Sequence, residues 1–142
     1  MKVFDVMSTD VVTAGLSGPL DEATNRMLKR GVGCIVVTNK DAVVGIITKG
    51  DILRKAFLKD VEAKKVVAKK VMTQPVITIS PDASLEEASK LMTARQVSKL
   101  PVVKQKKLVG IITSTDVIRA EPIQVGYLQE LVRARFVPHD LR

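Results

Sequence analysis

Apolar and polar residues along this chain form a pattern that predicts one series of elements twice. β-Branched runs at residues 11–13 and 76–79 predict short strands. A break rich in glycine, proline, serine or aspartate follows each run, and apolar residues at helical spacing come next. The helical positions are Leu20, Ala23, Thr24, Met27 and Leu28 in the first copy, and Leu85, Ala88, Ser89 and Met92 in the second. Pro19 at a first-turn position, and Ser84 with Glu87 as a capping box, mark the predicted helix starts.

Two further apolar runs in each copy predict a hairpin, and a second helical pattern follows each hairpin. The runs are residues 34–38 and 43–48 in the first copy, and residues 100–103 and 108–113 in the second. The second helical pattern contains Ile52, Leu53, Ala56 and Phe57 in the first copy, and Val117 and Ile118 in the other. Continuous apolar strands need cover on both faces. We therefore expect an α/β (α+β) fold in which two β-α-β-β-α repeats pack about a pseudo-twofold axis.

The two copies are also related residue by residue. Residues 6–55 align with residues 71–120 without a gap, and about a third of the aligned residues are identical, against roughly one in fifteen by chance. The run Gly-Ile-Ile-Thr-Lys-Gly-Asp at residues 45–51 returns as Gly-Ile-Ile-Thr-Ser-Thr-Asp at 110–116. An internal duplication of this kind predicts two half-sized units. The predicted organisation is repeat 1 at 1–58, a charged connector at 59–70, repeat 2 at 71–120 and an amphipathic tail at 121–142.

The connector and the tail lie outside the repeat pattern. Val61, Val66 and Val67 give the connector apolar positions that fit a helical or extended bridge. The tail carries an amphipathic stripe of Val125, Leu128, Leu131 and Val132. Such a stripe packs either on its own module or on a neighbour, and we favour a subunit contact over a free partner-binding helix.

Composition excludes several classes of site. The 142 residues are 46% hydrophobic, and no apolar run approaches the roughly 20 residues that span a bilayer. The amino terminus lacks the apolar stretch of a signal peptide, so we expect a cytoplasmic location and no membrane association. A single cysteine, Cys34, and a single histidine, His139, leave little for a disulfide or a zinc site. Cys34 is interpreted as a small core or cleft-wall residue rather than a nucleophile.

The net charge of +8 favours anionic partners such as nucleic acid, nucleotides or acidic proteins. Aromatic residues make up only 3% of the chain, which is too few for a base-stacking platform. The lysines at 104, 106 and 107 are most simply a solvated hairpin turn.

The repeated Gly-x-x-Thr-x-x-Asp motif carries the candidate chemistry. Its residues are Gly45, Thr48 and Asp51 in the first copy, and Gly110, Thr113 and Asp116 in the second. The glycines let backbone or ligand approach the strand closely. The threonine hydroxyls and the first N–H groups of the following helix offer a place for an anion. Each carboxylate has two acceptor oxygens, which suit the adjacent hydroxyls of a ribose.

The same motif has a second interpretation that requires no ligand. Thr-x-x-Asp before an apolar run is also a helix capping box, in which threonine and aspartate satisfy backbone N–H groups of the first turn. The residues alone leave both interpretations open for each copy.

The chain resembles a known family, the tandem CBS domain pair named after cystathionine β-synthase. The resemblance is carried by the order of elements, by Val6-Met7 and Val71-Met72, by the run Val-Ser-Lys-Leu-Pro-Val at residues 97–102, and by both motif copies. It covers nearly the whole chain. It implies that the chain binds adenosine-containing ligands, AMP, ADP, ATP or S-adenosylmethionine, and that it needs no cofactor.

The resemblance also implies that each ligand cleft takes residues from both repeats. Ligand-binding site 1 would combine Thr48, Asp51, Thr78, Ile79, Val97, Ser98, Lys99 and Leu100. Ligand-binding site 2 would combine Thr113, Asp116, Thr13, Ala14, Val32, Gly33, Cys34 and Ile35. The first copy lacks the proline and the polar side chain that the second copy has in its second strand, so we expect unequal affinities without ranking the sites.

The predicted function is a regulatory ligand-binding module, of the kind used in energy sensing, that signals by conformational change. No paired acid and base, nucleophile with a base, or metal cluster is visible in the sequence, so we do not expect an enzyme. The resemblance and the apolar helix faces predict a homodimer acting on a regulated protein. The alternative is a ligand-independent basic adaptor that binds nucleic acid or an acidic protein, with both motifs serving only as caps.

Overall fold

The computed structural model describes residues 1–57, 65–121, 128, 129 and 131. It divides into two compact units, and these do not follow the two sequence copies. The first unit comprises residues 10–76 and 105–108, and the second comprises residues 1–9, 77–104 and 109–142. The opening segment of each sequence copy is residues 1–9 in the first copy and residues 71–76 in the second. Each opening segment therefore belongs to the unit that is built mainly from the other copy.

Apart from the first strand of the second copy, the elements of the described residues follow the predicted order. They are α1 (Val3–Val6), β1 (Thr13–Gly15), α2 (Leu20–Arg30), β2 (Cys34–Asn39), β3 (Ala42–Thr48), α3 (Lys49–Ile52), a π-helical turn (Leu53–Phe57), α4 (Ala68–Val71), α5 (Leu85–Arg95), β4 (Lys99–Lys104), β5 (Lys107–Thr113) and α6 (Ser114–Ala120). Both predicted hairpins are present, as β2–β3 and β4–β5. The short helix α1 was not predicted, and α4 lies at the end of the connector, for which a helical or extended bridge was predicted.

The first unit contains a three-stranded sheet in the order β1-β2-β3. Strand β1 runs parallel to β2, and β2 runs antiparallel to β3, so that Cys34 lies opposite Thr48. The first strand starts two residues later than the predicted run at 11–13, although Val12 is buried in the core and its backbone oxygen accepts from Val36 N at 2.9 Å. Beyond β3, Thr73 pairs with Ile46 through two backbone hydrogen bonds of 2.8 and 3.2 Å.

The second unit contains the two-stranded sheet β4-β5. The strand predicted at 76–79 is reduced to one parallel bridge between Ile79 and Val102. Ser8 pairs with Ile111 through two backbone hydrogen bonds of 2.9 Å. This pair corresponds to the Thr73–Ile46 pair of the first unit, so each hairpin receives one bridging residue from the opening segment of the other copy.

The long helices α2 and α5, one in each copy, start close to where the capping signals predict. At α5, Ser84 Oγ accepts from Glu87 N at 3.0 Å, and Glu87 Oε2 accepts from Ser84 N at 3.3 Å, which confirms the predicted capping box. Pro19 stands one residue earlier than predicted, at the N-cap of α2. Helix α2 ends at Gly31, whose φ of 65° is favourable for glycine.

Helix α2 buries a narrower apolar face than predicted. Leu20, Ala23 and Met27 are buried, whereas Leu28 is 64% exposed. At about 100° per residue, Leu28 lies roughly 80° around the helix from Leu20, at the edge of the stripe. Leu53, at the start of the π-helical turn, is also exposed, contrary to prediction. In α5 all four predicted positions are buried.

Each unit has its own hydrophobic core. The first core includes Val12, Leu20, Met27, Ile35, Ile47, Val66 and Val71. The second includes Val3, Leu85, Met92, Leu100, Ile112, Leu128 and Leu131. Two residues of the amphipathic tail thus pack within their own unit, rather than at the favoured subunit contact, because they complete its apolar core. Val125 and Val132, and Val61 of the connector, lie outside the described residues.

Among the helices that the structure describes, none is both long enough and apolar enough to cross a membrane.

Candidate functional site: the two Thr-x-x-Asp junctions

Both motifs lie where a strand ends and a helix begins. Strand β3 ends at Thr48, the N-cap of α3, and strand β5 ends at Thr113, the N-cap of α6. In each motif the threonine hydroxyl accepts a hydrogen bond from the aspartate N–H, at 3.2 Å in the first unit and 3.1 Å in the second. The aspartate Oδ2 accepts from the threonine N–H at 2.9 Å in both units. Both motifs are therefore capping boxes, whether or not they also bind a ligand.

The aspartate of the first unit is saturated by contacts within that unit. Asp51 is only 3% exposed. Its Oδ2 also accepts from the Thr48 hydroxyl at 3.2 Å. Its Oδ1 accepts from the Thr73 hydroxyl at 3.0 Å, and it lies 3.4 Å from Lys55 Nζ and 3.5 Å from Arg54 Nη2. Five donors thus meet a carboxylate that has about four lone-pair positions.

These contacts determine the charge of the carboxylate. Burial works to raise the pKa of Asp51, because it removes water from the charged form. Hydrogen bonds from the Thr48 backbone and the Thr73 hydroxyl, together with the positive charge of Lys55, outweigh that effect and hold the pKa below its ordinary value of 3.8. The side chain is consequently an anion at neutral pH, with its charge neutralised locally.

The aspartate of the second unit has far fewer partners. Asp116 is half-buried, and within the described ranges its carboxylate accepts one hydrogen bond, from Thr113 N. The Thr113 hydroxyl accepts from Asp116 N and, in the same ranges, donates to no protein group. Among the residues that the structure describes, none bonds to the second carboxylate oxygen or takes the hydroxyl proton at this junction.

The motif glycines make room for protein atoms. A Cβ atom on Gly45 would lie 2.5 Å from Met72 Sδ, and one on Gly110 would lie 2.7 Å from Met7 Sδ. At Gly110 the backbone oxygen of Ser8 would also be 2.8 Å away. The predicted close approach is present, but at Gly45 the approaching group is a methionine side chain rather than backbone or ligand. The Val-Met pair of one copy and the motif glycine of the other thus form a single packing feature.

The remaining residues predicted for site 1 lie in the second unit. Thr78 is exposed, Val97 is half-buried, and Lys99 begins β4. Ile79, Ser98 and Leu100 are buried. The backbone oxygen of Ser98 accepts from Ser114 N at 2.9 Å, next to Thr113.

The remaining residues predicted for site 2 lie in the first unit. Thr13 and Ala14 begin β1, and Val32 and Gly33 precede β2. Cys34 and Ile35 are buried, and the Ile35 side chain belongs entirely to the core. The grouping of each Thr-Asp pair with residues of the other unit remains a prediction.

Sequence reasoning missed two residues that control the first junction, Lys55 and Thr73. Lys55 is four positions after Asp51, a spacing at which opposite charges meet on a helix, so it could have been identified. Thr73 follows the repeated Val-Met pair, and the first copy has a hydroxyl residue, Ser8, at the same place. No sequence pattern indicates that Thr73 reaches Asp51, because the two residues belong to different copies. In the described residues, no group of three or more histidine, cysteine or acidic side chains is placed to hold a metal ion.

Comparison with known proteins identifies the repeat. The model of the CBS domain matches residues 3–57 and 67–122. An uncharacterized protein of Methanopyrus kandleri is 35% identical over 92% of this chain and 67% of its own length. The CBS domain-containing protein YhcV of Bacillus subtilis is 33% identical over 80% of this chain and 81% of its own length. The chain spans only 62% and 50% of two uncharacterized relatives from Methanocaldococcus jannaschii.

A solved structure gives the same result for the fold. The CBS domain pair of protein MJ0100, in complex with 5′-methylthioadenosine and S-adenosyl-L-methionine, has a TM-score of 0.75 and is 30% identical. That alignment covers 84% of this chain and 94% of the other. The two matched segments account for most of the residues and coincide with the two sequence copies. The chain therefore belongs to the CBS domain family, as a tandem pair.

Proposed function

We propose that this chain is a regulatory module that binds an adenosine-containing ligand, an adenine nucleotide or S-adenosylmethionine, and signals by changing conformation. No catalytic step is part of the proposal. The ligand is held by the Thr-x-x-Asp junctions, with the carboxylate accepting from ribose hydroxyls. Residues of the other repeat complete each cleft, as the family resemblance implies.

The observation that carries the proposal is the uncommitted bonding capacity of Thr113 and Asp116. A carboxylate used only for capping needs one acceptor oxygen, and Asp116 keeps a second oxygen for another donor. The hydroxyl proton of Thr113 can be donated to a ligand oxygen without disturbing the cap. This junction can thus cap α6 and hold a polyhydroxylated ligand at once.

The solved pair supports the choice of ligand class. It is 30% identical to this chain and was crystallised with two molecules that both contain adenosine. A vicinal diol on a ribose matches a carboxylate acceptor better than an isolated phosphate does, because like charges would repel. The ligand class is therefore argued from the ribose rather than from the net positive charge.

Thermal unfolding tests the proposal. Wild type and Asp116→Ala are compared with AMP, ATP, S-adenosylmethionine, 5′-methylthioadenosine, GTP and buffer. A ligand at 100 times its dissociation constant adds about 2.7 kcal/mol to stability, a shift of several degrees. We expect an adenosine compound to stabilise the wild type and to lose most of its effect in Asp116→Ala.

Asp82→Ala is the matched control, because it removes an exposed carboxylate from a turn that belongs to neither motif. It should respond to ligand like the wild type. If no compound shifts the wild type, the sensor function is wrong, and the basic adaptor becomes the function to test, by nucleic-acid binding at two salt concentrations.

The homodimer is part of the same proposal. Leu28 and Leu53 expose large apolar side chains on the first unit, and a dimer contact that covers them would remove apolar surface from water. Light scattering should give twice the mass of the 15.5 kDa chain. A monomeric mass at micromolar concentration would contradict this part.

A further inference from the structure

We infer that Thr73 and Lys55 form a latch on Asp51, which keeps the first junction closed to ligand, so that the chain binds its first ligand through Asp116. The inference rests on the proposed function and deepens it, because it ranks two junctions that have the same motif. The latch is defined by the contacts of these two side chains with Asp51 Oδ1.

The latch consists of one hydroxyl and one ammonium group. Thr73 Oγ1 donates to Asp51 Oδ1 at 3.0 Å, and Lys55 Nζ lies 3.4 Å from the same oxygen. Lys55 Nζ also donates to Thr73 Oγ1 at 3.2 Å and to the backbone oxygen of Val71 at 3.2 Å. The three side chains therefore hold one another in a triangle.

The latch fills the position that a ribose hydroxyl requires. A hydroxyl donating to a carboxylate oxygen is the same bond whether it comes from threonine or from a sugar. With Oδ2 already used by Thr48, a ligand reaching Asp51 must displace Thr73, Lys55 or the more distant Arg54 from Oδ1. Asp51 is also nine-tenths buried, so the carboxylate is not accessible before that displacement.

The second junction lacks the lysine of the latch in its sequence, and in the structure its aspartate lacks the hydroxyl contact within the described ranges. The position of Lys55 is occupied by Ala120, which has no charge to offer Asp116. The position of Thr73 is occupied by Ser8, and Asp116 receives no side-chain donor within the described ranges. The difference between the junctions is therefore encoded in residues outside the motif.

Release of the latch would also affect the opening segment of the second copy, to which Thr73 belongs. Thr73 is fixed to Ile46 of β3 by two backbone hydrogen bonds, and Met72 beside it packs on Gly45. Displacing Thr73 from Asp51 removes one of the contacts that hold the opening segment of the second copy on the first unit. Occupancy of the first junction would then be coupled to the position of this segment, which gives the module a second response at higher ligand concentration.

Isothermal titration calorimetry with AMP and, separately, S-adenosylmethionine tests the latch. The variants are Asp51→Ala, Asp116→Ala, Lys55→Met, Thr73→Val and the double variant Lys55→Met/Thr73→Val. We expect one tight site per wild-type chain. Asp116→Ala should weaken that site at least tenfold, and Asp51→Ala should change it less than twofold. The double variant should bind a second ligand at least tenfold more tightly than the wild type does.

Lys29→Met and Thr9→Val are matched controls, because they make the same chemical changes at exposed positions that belong neither to a motif nor to the latch. Thermal unfolding in buffer identifies any variant that has lost its fold. If the double variant does not fold, either single latch variant replaces it in the titration.

The latch is wrong if Asp51→Ala weakens the tight site as much as Asp116→Ala, or if opening the latch leaves the number of bound ligands unchanged. Absence of binding to either compound in every variant would instead overturn the proposed function, and this inference with it.

Discussion

The two Thr-x-x-Asp junctions have the same backbone and different chemistry. In both, threonine caps a helix and aspartate returns a hydrogen bond at 2.9 Å. In the first unit the aspartate is buried under five donors, and in the second it accepts a single bond within the described ranges. The comparison teaches that a motif fixes the local turn, whereas neighbours from outside it decide whether the carboxylate is part of the scaffold or open to a ligand.

The largest difference in stability is expected between the variants that remove the two motif aspartates, because Asp51 is buried in a hydrogen-bond network and Asp116 mainly caps a helix. Asp51→Ala should lower the free energy of unfolding by about 3 kcal/mol, because it breaks a buried, charged hydrogen-bond network. Asp116→Ala should cost about 1 kcal/mol, since it removes only the return bond of a capping box. Urea unfolding of both variants without ligand measures the difference. Equal losses would show that the first carboxylate has no special structural role.

Replacing each motif glycine with alanine tests how tightly the opening segment of the other copy packs against it. Gly110→Ala should destabilise by about 2 kcal/mol, because the new methyl group would meet the backbone oxygen of Ser8, which is fixed by its pairing with Ile111. Gly45→Ala should cost about 1 kcal/mol, since the atoms it meets belong to the Met72 side chain, which can adjust.

Replacing the methionine provides the control for this pair of variants. Met72→Ala should recover part of the loss in Gly45→Ala, and urea unfolding in a double-mutant cycle measures the coupling. A cycle without coupling would mean that the glycine is there for another reason.

Acid should weaken the first unit through Asp51. Because the folded protein holds the pKa of this carboxyl below its value in the unfolded chain, the unfolded state binds more protons there. The stabilising contribution is complete above about pH 4 and is lost as pH falls through the folded pKa. Urea unfolding between pH 3 and 6 should show a shallower fall for Thr73→Val than for wild type, because one donor that lowers the pKa is gone. Parallel curves would contradict the assigned cause.

The smallest effects on stability are expected from two corresponding hydroxyl residues, one in α2 and one in α5. Ser89 Oγ donates to the Leu85 oxygen at 2.8 Å, whereas the corresponding Thr24 Oγ1 is buried and has no hydrogen-bond partner in the described part of the chain. Thr24→Val should therefore stabilise by up to about 1 kcal/mol, and Ser89→Ala should destabilise by about 0.5–1 kcal/mol. Thermal unfolding measures both, and a loss in Thr24→Val would indicate that its hydroxyl has a partner.

The hairpins and the first helices were predictable because their signals are local. Alternation and β-branched runs are sufficient to form β2 and β3 or β4 and β5, and Ser84 with Glu87 is sufficient to start α5. Periodicity failed at Leu28, since a position at the edge of a stripe is buried only if something packs against it. The β-branched run at residues 76–79 also did not form the predicted strand. A strand needs a partner strand along its length, and in this segment only Ile79 pairs, with Val102.

The sequence alone determined the duplication, the family, the order of elements and the motif residues, because these depend on residues close together in the chain or on comparison of one copy with the other. Only the tertiary structure decided that each opening segment joins the unit of the other copy, that Met7 and Met72 explain the motif glycines, and that Thr73 reaches Asp51. These contacts join residues of different copies. Chain packing brings such residues together, and no local pattern records it.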